Sequence, residues 1–177
     1  MPLPSMIEAS LIGRKRHMKN AGLYETHINT KNLNNAIQFY QDLQLELAYT
    51  VEERRAAFFW LGDPSRKEQM LGIWEVSEDK FTPSHFAFSV SLKELLEVPE
   101  FLAQKGIDLS PSFGLDAGEP IVHPWMPAAS CYFKDLDGNS LEYIAVLDQE
   151  PNWDLSPMHL EKWLEFNRCL RNGPISK

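Results

Sequence analysis

The run Cys131-Tyr-Phe-Lys-Asp-Leu-Asp-Gly-Asn-Ser-Leu-Glu-Tyr143 decides how the chain is read. Asp137-Gly138 is a turn signal of the kind that joins antiparallel strands, because glycine takes the positive φ that such a turn requires. Ser130 to Lys134 before it and Ser140 to Leu147 after it have strand character, so the run reads as a hairpin. Side chains alternate across a strand, so in the returning arm Leu141 and Tyr143 turn to one face and Glu142 to the other. A carboxylate on the inner face of a sheet is costly unless something pairs it.

Working outward, two histidines lie in comparable surroundings: His85 in Ser84-His-Phe-Ala-Phe-Ser-Val90, and His27 in Tyr24-Glu-Thr-His-Ile-Asn-Thr30. The intervals from His27 to His85 and from His85 to Glu142 are 58 and 57 residues. Glu25, His27 and Asn29 share one face of their strand, and His85, Ala87 and Ser89 oppose the apolar Phe86, Phe88 and Val90. Taken singly, a strand histidine is an ordinary core or surface residue, and Glu142 an ordinary exposed strand glutamate. Together, two imidazoles and a carboxylate recurring once per similar-sized unit point to a divalent-metal site with open coordination positions.

The segments between these residues repeat an order of elements. A strand over Leu23 to Thr30 is followed by a helix over Asn32 to Leu43, with Leu33, Ala36, Ile37, Tyr40 and Leu43 at helical intervals and Asn32 as N-cap. Strands over Leu45–Val51, Ala56–Leu61 and Met70–Val76 follow, with a turn at Gly62-Asp63-Pro64-Ser65. The second round has a strand at His85–Val90 and a helical pattern at Leu92–Gly106, which Pro99 is expected to break or restart. Its remaining strands are expected near Asp108–Phe113 or slightly later, at Ser130–Lys134 and at Ser140–Leu147. The expected fold is α+β: two tandem βαβββ modules, 22–77 and 84–147, forming a curved eight-stranded mixed sheet around a metal-containing cleft. Residues 1–21 read as an N-terminal extension with a short helical pattern over Ile7 to Ile12. Residues 148–177 read as a C-terminal helical extension whose Leu160, Trp163, Leu164 and Leu170 dock on the body or on a second subunit.

Composition limits the function classes. A net charge of −8 disfavours nucleic acid, which requires a basic footprint, and Arg14-Lys-Arg-His17 reads as a solvated arm. Two cysteines, Cys131 and Cys169, are too few for a disulfide framework and have no Cys-x-x-Cys partner, which fits a reducing cytoplasm. No apolar run approaches the roughly 20 residues of a membrane span, and the start lacks a signal-peptide pattern. The expectation is a cytoplasmic protein acting on a small molecule, with no nucleic-acid or membrane partner.

From about residue 22 to 147 the chain resembles the vicinal oxygen chelate superfamily, which includes glyoxalase I, fosfomycin-resistance thiol transferases, bleomycin-resistance proteins and extradiol dioxygenases. The hairpin is similar to the family's aromatic-x-Asp-Pro-Asp-Gly-Asn-x-x-Glu segment, with Leu136 in place of proline. Ala36-Ile-Gln-Phe39-Tyr40 is similar to the Ala-x-x-Phe-Tyr of its first helix. The resemblance implies that His27, His85 and Glu142 are ligands of a divalent ion, Fe, Mn, Ni or Zn. Aligning Leu71-Gly-Ile-Trp74 with Leu141-Glu-Tyr-Ile144 sets Gly72 opposite Glu142, so the fourth carboxylate of a glyoxalase I site is missing. The three-ligand arrangement of transferase and dioxygenase members is then the nearer one. His123 and Tyr132 precede Glu142 in the order of extradiol dioxygenases, which makes them candidate catalytic residues, with a surface histidine the competing reading for His123. Arg54 and Arg55 are candidate anion-binding charges. Phe58, Phe59, Trp60 and Trp125 are candidate pocket walls. Many relatives are homodimers, and the resemblance extends that expectation here. The implied function is a metal-dependent lyase, isomerase or dioxygenase; the alternatives are a fosfomycin-type thiol transferase and a metal-free antibiotic-binding protein.

Overall fold

In the computed structural model, which describes residues 21–172, the first module runs β1 (Glu25–Thr30), α1 (Leu33–Asp42), β2 (Glu46–Val51), β3 (Ala56–Leu61) and β4 (Gln69–Glu75). The second runs β5 (His85–Ser89), α2 (Leu92–Ala103), β6 (Ile121–His123), β7 (Ala128–Lys134) and β8 (Ser140–Val146). A two-residue strand β9 (Met158–His159) and helix α3 (Leu160–Asn172) follow. The helical pattern over Ile7 to Ile12 lies outside the described residues. Two βαβββ modules in an α+β fold are present, and among the described residues the sheets are open and close no barrel. The strands form a four-stranded sheet, β1-β4-β3-β2, and a five-stranded one, β5-β8-β7-β6-β9. Strands β1 and β5 are therefore outer strands of separate sheets, each parallel to its one neighbour.

Alternation positions the core. Ile28, Leu71, Ile73, Ala57 and Phe59 lie on the face of the first sheet that meets α1, where Leu33, Ala36, Phe39 and Tyr40 are buried. Leu141, Ala145, Ala129, Cys131 and Phe133 do the same in the second sheet against Leu95, Val98 and Leu102 of α2. The remaining residues of each strand face away from the helices, and they include His27, His85 and Glu142. Asn32 caps α1 by accepting from the Asn35 amide at 3.0 Å. Ser91 and Glu94 form a capping box at the start of α2.

Three local expectations change. Helix α2 passes through Pro99 without breaking. Buried Leu95 and Val98 before the proline and Leu102 after it hold one axis, and that packing outweighs the lost backbone bond. The region Asp108–Phe113 contributes only isolated bridges, Leu109 to Phe133 and Ser112 to Leu115, and the regular strand is Ile121–His123, between Pro120 and Pro124. The C-terminal helix starts at Leu160 because Met158 and His159 pair with Val122 and Ile121. Its docking is intramolecular: Trp163 is fully buried and donates to Gln149 Oε1 at 3.0 Å, while Leu164 and Leu170 stay exposed. Truncating Trp163 to alanine would cost about 3–5 kcal/mol.

The hairpin between β7 and β8 ties the modules together. Asp135 Oδ1 accepts the amides of Asp137, Gly138 and Asn139 at 3.0, 2.9 and 2.8 Å, which closes the turn. Asp135 Oδ2 accepts the Tyr40 hydroxyl of α1 at 3.0 Å. The fully buried Asn139 donates to Asn29 O at 3.0 Å and accepts from the Ser84 amide at 2.8 Å, linking β1 to the entry of β5. Gly138 has φ of 96°, a conformation that suits glycine.

Candidate functional site

Glu142 occupies the middle of β8, opposite Ala87 of β5 and Tyr132 of β7. It is 4% exposed, and its two oxygens have different surroundings. Oε1 accepts a hydrogen bond from the Ser130 hydroxyl and another from the Tyr132 hydroxyl at 3.3 Å. Oε2 faces His85 Nε2 at 3.2 Å. The His85 ring is held from behind: Nδ1 lies 3.0 Å from Ser140 O, and since a carbonyl only accepts, Nδ1 carries the proton. Nε2 is thereby the nitrogen presented beside the carboxylate. A ligating histidine ordinarily donates its other N–H to a carbonyl in this way, so the His85–Glu142 donor set fits a divalent cation.

His123 is buried in β6, 5% exposed, which removes the surface-histidine reading. Its Nε2 is 2.6 Å from the Tyr132 hydroxyl, and the edge of Phe113 packs on its ring. Burial pushes the His123 pKa down, partly opposed by the nearby Glu142 charge, so the ring is kept neutral. Burial pushes the Tyr132 hydroxyl up, and Glu142 adds to this, so it remains a phenol. With Tyr132 donating to Glu142, His123 Nε2–H donates to Tyr132, and a chain His123–Tyr132–Glu142 runs from β6 to β8. Ser130 is the member of this group that sequence reasoning missed.

His27 lies on the corresponding face of the other sheet. Its ring is stacked on Trp74 with centroids 5.7 Å apart and is met edge-on by Phe58 at 6.1 Å. Gly72, its partner in the β1–β4 register, provides the floor: a Cβ there would come within 3.2 Å of His27 Cε1 and of Phe58 Cε1. The position that lacks the fourth carboxylate is thus where the His27 ring rests. Nδ1 accepts from Trp74 Nε1 at 2.5 Å, and Nε2 is 3.2 Å from Glu25 Oε1.

The structure brings His85 and Glu142 together, with Tyr132 and His123 behind them, but not His27. Among the described residues no three His, Cys, Asp or Glu side chains of one chain are grouped to hold a metal ion. The side chains of His27 and His85 are 42% and 52% exposed, so both polar faces are open within a single chain. A cleft of about 320 Å³ opens along β1 and β5, lined by Tyr24, Thr26, Met70, Phe86 and Phe88, but none of the three expected ligands lines it. The other candidates have separate roles. Arg55 spans both oxygens of Glu75 at 3.1 and 2.9 Å, so its charge is used structurally. Phe59 is core, and Trp125 packs on Trp153 at the surface with ring centroids 6.0 Å apart.

No family model and no curated protein matches the chain. Among solved structures, an integron cassette protein from the mobile metagenome of Halifax Harbour sewage outfall is 31% identical, with a TM-score of 0.61 over 71% of this chain and 98% of that one. Lactoylglutathione lyase from Agrobacterium tumefaciens is 20% identical, with a TM-score of 0.54 over 72% and 95% of the two chains. Fosfomycin resistance protein FosX from Listeria monocytogenes, complexed with Mn(II) and sulfate ion, is 23% identical, with a TM-score of 0.51 over 74% and 94%. The chain has the fold of these proteins, which include lyase, fosfomycin-resistance and oxidase members of the vicinal oxygen chelate superfamily. Among the described residues no helix is long and apolar enough to cross a membrane.

Proposed function

We propose that this protein is a metal-dependent enzyme that binds a small substrate through its oxygens at a divalent-metal site, in a cytoplasmic homodimer. The observation that carries this is the His85–Glu142 pair, a buried carboxylate with one oxygen held by the protein and the other turned to an oriented imidazole. The third ligand comes from the Glu25–His27 pair on β1 of a second copy. In support, β1 and β5 are outer strands with one edge free of ladder pairing among the described residues, and each polar face is open until another sheet covers it. The FosX neighbour, whose structure contains Mn(II), lends the metal reading further support.

A divalent cation held there supplies Lewis acidity toward negative charge developing on a substrate oxygen. The protein's own residues do the rest. Ser130 and Tyr132 fix the Glu142 carboxylate, and His123 fixes the Tyr132 hydroxyl. Phe58 and Trp74 form an apolar wall that excludes water from one side of the substrate. Gly72, against which the His27 ring rests, supplies no fourth carboxylate, which favours a transferase or dioxygenase site over a glyoxalase I site.

Metal analysis of the purified protein tests this. Near-stoichiometric divalent metal, lost in His85→Ala, is expected; a metal-free wild type would leave a binding protein instead. Iron with oxygen consumption on catechols identifies ring cleavage, whereas Mn, Ni or Zn without oxygen consumption identifies a lyase, isomerase or transferase. Sedimentation at the monomer mass of 20.4 kDa at all concentrations would overturn the dimer.

A further inference from the structure

We infer that the ligand contributed by β1 is the carboxylate of Glu25, and that His27 is its positioning residue. This rests on the metal-site reading above and names the atom that completes it.

The two modules can be superposed by register. The parallel ladder between β1 and β4 opens with Met70 N donating to Tyr24 O at 2.7 Å, and the ladder between β5 and β8 opens with Ser140 N donating to Ser84 O at 2.8 Å. The next residues are Glu25, paired with Met70, and His85, paired with Ser140. Two residues on, His27 pairs with Gly72 and Ala87 pairs with Glu142. The antiparallel neighbours agree: Phe59 pairs with Leu71 and Phe133 with Leu141, all four fully buried. The counterpart of His85 is therefore Glu25, and that of His27 is Ala87. The near-equal spacing of the two histidines in the sequence conceals a two-residue offset, which keeps both on the same kind of face.

Hydrogen bonding at His27 points the same way. Indole Nε1–H of Trp74 only donates, so Nδ1 of His27 is the acceptor. The neutral ring then has its proton on Nε2, which lies 3.2 Å from Glu25 Oε1. Both nitrogens are occupied, and no lone pair is left for a cation. His85 is arranged in the opposite sense, with Nδ1 donating and Nε2 free to bind. Glu25 in turn resembles Glu142: one oxygen is held by a side chain, and Oε2 accepts no hydrogen bond among the described residues. The chain Trp74–His27–Glu25 thus orients a carboxylate, as His123–Tyr132–Glu142 does in the other module. The completed donor set is two carboxylates and one imidazole, a harder set than two imidazoles and one carboxylate, and one suited to Mn(II).

Mn(II) alone, titrated into the intact protein by calorimetry, tests the assignment. Glu25→Gln is expected to weaken binding more than about 100-fold, as Glu142→Gln does. His27→Gln, which keeps an N–H donor, is expected to lose about tenfold, the low end of the range for a residue acting through a ligand. Histidine-labelled protein titrated with Zn(II) gives an independent readout: the ¹⁵N resonance of His85 Nε2 moves on binding, while His27 keeps its Nε2–H. If His27→Gln abolishes binding while Glu25→Gln binds as wild type, or if the His27 nitrogen takes the metal shift, the assignment to Glu25 is overturned and the metal site stands. A wild type that binds neither ion overturns both.

Discussion

The two halves of the candidate site differ in how finished they are. In the second module Glu142, Ser130, Tyr132 and His123 form one hydrogen-bonded group whose carboxylate is buried, with the His85 ring beside it and held by Ser140 O. In the first, Glu25, His27 and Trp74 form a shorter chain on a more exposed face. A buried carboxylate requires satisfied partners before any cation arrives, because an unpaired charge in the interior is expensive. An exposed one has water until another sheet covers it. The second module is thus the preorganised half, and the first is the half that depends on assembly.

The largest expected effect breaks the preorganised half. His85→Ala or Glu142→Gln should lower metal affinity by more than about 100-fold in calorimetric titration, because either change removes a direct ligand. Asn139→Ala probes what holds the halves in place. It removes the side chain joining Asn29 O, the Ser84 amide and Asp135, and should cost about 2–3 kcal/mol in urea unfolding. Ser130→Ala sharpens the comparison, since it removes one of two donors to Glu142 Oε1. It should cost about 1–2 kcal/mol in the same assay and weaken metal binding about tenfold.

The smallest effect concerns Glu75 at the end of β4. Its carboxyl is held below the usual carboxylate range by the Arg55 guanidinium and by the Leu33 amide at the start of α1. Because the folded-state value is depressed, the stabilisation is present above the unfolded-state carboxylate pKa and is lost as pH falls through the folded one. Glu75→Gln should therefore cost about 1 kcal/mol at pH 7 by urea unfolding, and the gap from wild type should shrink in acid. Metal binding should be unchanged.

Elements with long periodic patterns were legible in the sequence: α1, β3, β8 and the Asp137-Gly138 turn lie where alternation and turn chemistry put them. Short elements were not. Three-residue β6 and two-residue β9 have too few positions for a period to register, and they exist because β7 and the C-terminal segment present edges to pair with. Pro99 misled because its cost is local while the packing that overrides it is tertiary. In the site, His85 and Glu142 were visible as residue types, whereas Ser130 is an unremarkable strand serine until register brings it under Glu142. The Glu25–His27 offset was hidden for the same reason: composition places both on one face, and only the partner strand distinguishes positions along it.

Assembly across two copies is tested most directly by complementation. His85→Ala and the double variant Glu25→Ala/His27→Ala, each metal-free alone, are to be co-expressed or mixed under conditions of subunit exchange. If each site draws β1 from one copy and β5 and β8 from the other, a mixed dimer contains one intact and one doubly damaged site. Random pairing then restores about a quarter of the wild-type metal per chain. No recovery despite demonstrated exchange would contradict the account and return the site to a single chain.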